Sequence, residues 1–117
     1  MRKKLTPKYY YAGVYMIRNE HNGKVYIGSS CNIEQRLEAH RRTLSKGTHH
    51  CKALQEDYDR HHPMSVDVLY VEPVPRNNRT TARYKLYAIE WQFIEKYDAI
   101  NSGYNELPVS EIIRNAI

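Results

Sequence analysis

The stretch from Gly13 to Gly28 constrains the fold more than any other part of the chain. It reads Gly13-Val14-Tyr15-Met16-Ile17-Arg18-Asn19, then Glu20-His21-Asn22-Gly23, then Lys24-Val25-Tyr26-Ile27-Gly28. Two β-rich runs flank an Asn-Gly pair, the strongest short-range signal for a hairpin. Side chains alternate faces along a strand, so parity decides which residues meet. A hairpin with a two- or four-residue loop pairs odd positions of the first strand with even positions of the second. Tyr15 then shares a face with Tyr26 and Gly28, and Val14 and Met16 share the other with Val25 and Ile27. One face is apolar. The other sets two phenols beside a glycine, which lets another group come close to the backbone. The plain alternative is that the tyrosines form an aromatic cross-strand pair.

The rest of the chain supplies helices to pack on this hairpin. Asn32 is placed to cap a helix over Ile33 to Lys46 that Gly47 closes. Ile33, Leu37 and Leu44 form its apolar stripe, and Arg36 and His40, four residues apart, share the side that borders it. A second helix is expected near Lys52 to Arg60, ended by Pro63. Ser65 to Val71 alternates and is valine-rich, so it reads as a third strand, and Pro73 to Asn78 reads as a basic loop. A long helix from Thr80 to Asp98 has Ala82, Leu86, Ile89, Phe93 and Tyr97 on one face. The 117 residues make one domain with a single modest core. Residues 1–11 read as a basic, tyrosine-rich arm and 107–117 as a C-terminal stub or linker.

Three features carry chemistry. Glu90 borders the apolar face of the long helix, with Leu86, Tyr87, Phe93 and Ile94 one turn away. A carboxylate in such a setting needs a salt bridge, with Arg36 a candidate, or a metal. The turn Ser102-Gly103-Tyr104-Asn105 can aim Asn105 back at the sheet. His49-His50-Cys51 and His61-His62 suggest zinc, but an intervening helix rising about 1.5 Å per residue would hold the pairs about 15 Å apart, too far for one ion. One of these histidines touching DNA is the better reading. The net charge of +5 favours a phosphate-rich partner. Two cysteines give no disulfide framework, and no run of the sequence is long and apolar enough for a membrane span.

The order Gly13-Val14-Tyr15, Tyr26-Ile27-Gly28, Arg36 and His40, a helical Glu90 and Gly103-Tyr104-Asn105 resembles the GIY-YIG endonuclease family, from about Ala12 to Glu106. It is most similar to the catalytic domains of phage and intron homing endonucleases, a branch that Gly47-Thr48-His49 also fits. Val14 stands where the name motif has isoleucine. The resemblance implies an α/β (α+β) fold, a three-stranded antiparallel sheet flanked by helices. It implies hydrolysis of DNA phosphodiesters with one divalent metal, Mg2+ or Mn2+, and no organic cofactor. Glu90 would hold the metal. Arg36 would stabilise the phosphate, and Tyr15 would orient the attacking water and act as its base. His40 would take the proton onward. Tyr26 would orient water or phosphate, Asn105 would fix the geometry, and His49 would contact DNA.

Arg76, Arg79, Lys3 and Lys4 are further candidate DNA contacts. A monomer is expected, with a dimer on DNA as the alternative, working in the cytoplasm of a bacterial or phage-infected cell or wherever host DNA resides. The rival readings are a basic DNA-binding module without activity, and a fragment of a longer homing enzyme that lacks its targeting domain.

Overall fold

The computed structural model describes residues 9–75 and 79–106, and of 79–82 the backbone alone. The elements in order are β1 (Tyr9–Asn19), β2 (Val25–Ser30), α1 (Ile33–Lys46), α2 (Lys52–Asp59), β3 (Met64–Pro75) and α3 (Arg79–Lys96). The sheet is antiparallel with order β2-β1-β3, the expected three strands flanked by helices.

The hairpin follows the parity argument. Tyr15 pairs with Gly28, Met16 with Ile27 and Ile17 with Tyr26. Glu20 to Gly23 form the loop, closed by Asn19 N–H donating to the Lys24 carbonyl at 2.9 Å. Each face of the sheet then builds its own core. Ala12, Val14, Met16, Val25 and Ile27 pack with Leu86 and Ile94 of α3. Tyr15 and Ile17 pack with Ile33 and Leu44 of α1, Leu54 of α2 and Tyr104. The sheet is thus the middle of three layers, and β2 is an edge strand on which both helical layers converge.

Helix α1 runs over the expected residues because both ends are specified. The Asn32 side chain accepts from Gln35 N–H, and Gly47 adopts the left-handed conformation with φ 75°. Two expectations at the other sheet edge are corrected. Tyr9 to Tyr11 belong to β1 and not to an arm, pairing with Pro75, Val74 and Pro73. Residues 73–75 are accordingly strand rather than loop. β3 is an edge strand, the place in a sheet where proline is tolerated. Along α3 Leu86 and Ile94 are buried, while Ile89, Phe93 and Tyr97 are partly buried.

Candidate active site

Tyr15 is the centre of the site, and Gly28 makes room for it. The tyrosine is only 1% exposed, and its ring lies directly over the backbone of β2. A Cβ built on Gly28 would stand 2.4 Å from Tyr15 Oη and 2.5 Å from Cζ, contacts that no side chain can make. The ring's far end reaches α1, where Oη lies 2.5 Å from His40 Nε2. His40 Nδ1 in turn lies 2.7 Å from His49 Nε2. Tyr26, two residues before Gly28 on the same face, sets its ring edge-on to His40, with centroids 5.4 Å apart, and its hydroxyl 3.2 Å from His50 Nε2.

Burial dominates the electrostatics of these groups. It raises the Tyr15 pKa above the ordinary phenol value, with the Tyr26 phenol adding to it, and the positive charge of Arg36 pulls in the opposite direction. Tyr26 is raised likewise, again with Arg36 opposing. Burial and the same guanidinium push His40 down to about 3, and burial beside His50 pushes His49 down to about 4. Both imidazoles are neutral at neutral pH.

Arg36 and Glu90 approach the β2 edge from opposite layers. Arg36, one turn before His40 on α1, lines a groove of about 220 Å3 with Ser29, Ser30, Arg83 and Tyr87. Glu90 on α3 accepts a hydrogen bond of 2.9 Å from the Ser29 hydroxyl. Burial raises its pKa, the Ser29 hydrogen bond opposing. Its negative charge is felt by both Tyr15 and Tyr26. Among the described residues no ion pair joins Glu90 to Arg36, so the salt-bridge alternative is not what this structure shows.

Asn105 returns to β2 as expected. Its Oδ1 accepts from Ile27 N–H and its Nδ2 donates to the Ile27 carbonyl, both at 2.8 Å. The turn that delivers it is anchored by a polar cluster that the sequence did not announce. Tyr104 donates to Asp57 Oδ2 at 2.6 Å, and Asn19, fully buried, donates to the Tyr104 hydroxyl at 2.9 Å. Burial and the Asp57 hydrogen bond push the Tyr104 phenol up to about 12.

The structure gathers Tyr15, Tyr26, Arg36, His40, Glu90 and Asn105 around β2. His49 lies against His40. It is 6% exposed, and both ring nitrogens face protein, Nε2 toward His40 and Nδ1 toward the Cys51 amide. Its neighbour His50 is exposed. Lys3, Lys4 and Arg76 lie outside the described residues, as does the side chain of Arg79, the first residue of α3.

The family model for the GIY-YIG catalytic domain matches residues 11–105. The chain belongs to the GIY-YIG family. A stretch of 50 residues is 40% identical to intron-associated endonuclease 1 of Enterobacteria phage T4, covering 43% of this chain and 20% of that protein. The match thus spans about a fifth of that relative's length. The structure of the catalytic domain of homing endonuclease I-TevI is similar over 83% of this chain and 99% of its own, with TM-score 0.68 and 28% identity. A point mutant of the catalytic domain of intron endonuclease I-TevI is similar over 81% and 92%, with TM-score 0.66 and 28% identity. Residues 11–105 are therefore a GIY-YIG catalytic domain.

The name motif of the GIY-YIG family has a direct physical meaning here. Its second half places Tyr26 and removes the side chain at Gly28 that would collide with the tyrosine of the first half. Two residues of the site escaped the sequence reading: Ser29 and Arg83. Arg83 had a signal, since it lies two helical turns before Glu90 on the same face. Ser29 had none.

The donor set bears on whether the site suits a divalent cation. Among the described residues no three His, Cys, Asp or Glu side chains converge to hold a metal. Of the residues gathered around β2, Glu90 is the one that offers a hard carboxylate, and it is half-buried. One carboxylate with water and phosphate oxygens is how magnesium is commonly held, whereas zinc needs several protein ligands. The residues fit magnesium or manganese.

Proposed function

We propose that the domain is an endodeoxyribonuclease that hydrolyses DNA phosphodiester bonds with one Mg2+ or Mn2+ held at Glu90. The observation that carries the reading is the meeting of a guanidinium, a buried phenol and a carboxylate at the edge of one strand. When bound, the cation supplies positive charge to neutralise the scissile phosphate and the leaving 3′ oxygen. The protein's groups supply the rest. Arg36 binds phosphate oxygens and meets the charge that develops in the transition state. Tyr15 orients the attacking water and, as the phenolate, accepts its proton, which the pull of Arg36 favours. Tyr26 orients water or phosphate from the same sheet face. Asn105 clamps the β2 edge so that Tyr26 and Gly28 keep their positions. Arg83, beside Arg36 in the groove, extends the basic track for the DNA backbone.

Glu90→Gln tests the metal assignment, because it keeps the shape and the Ser29 hydrogen bond and removes the charge. Nicking of supercoiled plasmid in magnesium is expected to fall by about 10²-fold or more, with an unchanged unfolding midpoint. Near wild-type cleavage by this variant would refute the assignment. A module that only binds DNA would leave the plasmid intact at every magnesium concentration.

A further inference from the structure

We propose that His49 is a positioning residue that fixes the tautomer of His40 and thereby makes the Tyr15 oxygen the acceptor of their hydrogen bond. The inference deepens the reading of Tyr15 as the water-orienting phenol and rests on it. The chain of bonds begins at a peptide group. The Cys51 N–H donates to His49 Nδ1 at 3.0 Å. A peptide N–H can only donate, so His49 Nδ1 carries no proton, and the single proton of this imidazole sits on Nε2. That Nε2–H points at His40 Nδ1, 2.7 Å away, so His40 Nδ1 is an acceptor and carries no proton either. The proton of His40 must then sit on Nε2, which is 2.5 Å from Tyr15 Oη. Every hydrogen bond in the chain points one way, from the Cys51 amide through two imidazoles to the phenol oxygen. Neutral imidazoles are what burial and the neighbouring charges favour at both sites.

The surroundings hold this order in place. His40 is 3% and His49 6% exposed. The His49 backbone N–H donates to Gln55 Oε1 at 3.1 Å, and Gln55 Nε2 donates to the Leu44 carbonyl at 3.0 Å and to Asp59 Oδ1 at 2.8 Å. The Gln55 side chain thus ties the histidine loop to the end of α1. Two consequences follow for the reaction. With His40 Nε2–H against it, Tyr15 turns its own hydrogen away from the histidines, and its phenolate meets a ready donor. His40 Nε2 has no free lone pair, so it does not take a proton from Tyr15. A chain that begins at a peptide N–H has no proton to pass along. The two histidines hold and stabilise the phenolate; they do not relay its proton.

The test has a direct arm and a kinetic arm on the 117-residue chain. Long-range 15N–1H correlation spectra of histidine-labelled protein report each tautomer. Protonated Nε2 on both His40 and His49 is expected, and protonated Nδ1 on His40 overturns the proposal. Single-turnover cleavage of saturating supercoiled plasmid in magnesium is then compared for two variants. In His49→Asn the Oδ1 can still accept from the Cys51 amide, but nothing reaches His40. In His49→Gln the Nε2 can still donate to His40. A lost hydrogen bond to a charged group corresponds to about 10–100-fold in rate.

His49→Asn is expected to lose about that much with an unchanged DNA dissociation constant, and His49→Gln to recover most of it. Equal losses in both variants, or a weaker dissociation constant with the saturating rate kept, overturn the positioning role. Tyr15→Phe on the same plasmid separates the two failures. If Tyr15→Phe is inactive while His49→Asn cleaves normally, only the present inference falls. If Tyr15→Phe cleaves normally, the reading of Tyr15 beneath it falls first.

Discussion

Substituting Gly28 by alanine probes the site at its tightest point. The backbone there is ordinary strand and its φ excludes nothing, so the cost is entirely one of space. The new methyl would stand 2.4 Å from Tyr15 Oη and 2.5 Å from Cζ. The phenol ring cannot yield in place, because it is 1% exposed and its oxygen is held at His40. The ring must swing away from α1 or the strand must move, and overpacking of this kind costs about 1–3 kcal/mol.

Without the ring the sign reverses. Alanine restricts the unfolded chain more than glycine and would stabilise by about 0.4–1 kcal/mol. A double-mutant cycle of Gly28→Ala with Tyr15→Ala should therefore show a coupling of about 1.5–4 kcal/mol. Urea unfolding of the four proteins measures it, with the plasmid nicking rate of Gly28→Ala falling in parallel. A coupling below about 0.5 kcal/mol, or a Gly28→Ala protein that cleaves at the wild-type rate, refutes the account of why this position is glycine.

Four further outcomes are expected. Arg36→Ala should lower the saturating single-turnover rate by about 10²–10³-fold with little change in DNA affinity; a collapse of affinity with the rate retained would make Arg36 a docking residue only. Because burial lifts the Tyr15 phenol above its ordinary range, its phenolate is scarce at neutral pH, and the rate should climb by about tenfold per pH unit. His40 and His49, at about 3 and 4, should add no acid limb between about pH 5 and 9, and a rate independent of pH over that range would count against Tyr15 as the base. With one set of site residues, plasmid should be nicked before it is linearised. DNA affinity should fall steeply as salt rises, since phosphate contacts release counterions; a salt-independent dissociation constant would contradict this.

The hairpin and α1 could be read from the sequence because their determinants are local. Asn22-Gly23 and strand parity set the register that pairs Tyr15 with Gly28, and Asn32 and Gly47 mark both ends of the helix. Glu90 stood out as a lone carboxylate on an apolar flank. What escaped the reading depends on contacts distant in sequence. The strand character of Pro73 to Pro75 follows only from β3 lying at the sheet edge beside Tyr9 to Tyr11. His49 sits in a polar segment, and only the packing of Gln55 and Cys51 around it shows that it faces inward. The Asn19–Asp57–Tyr104 cluster joins residues up to 85 positions apart, and no periodicity signals such a meeting.

The Asn105 amide on Ile27 has a consequence beyond the site. A strand at the margin of a sheet presents unpaired N–H and C=O groups, a template on which another chain can add. Here a side-chain amide engages Ile27 as a neighbouring strand would, and the Tyr104 N–H takes the Val25 carbonyl at 2.9 Å. At the opposite margin, Pro73 and Pro75 lack the donors that a docking strand would need. The sheet is thus stoppered on both sides, and on the β2 side the stopper lies beyond α3. A domain cut at the end of α3 would keep β1 to β3 and α1 to α3 and lose that cover. It should pair with a second copy edge to edge through β2, where the longer chain keeps that edge covered.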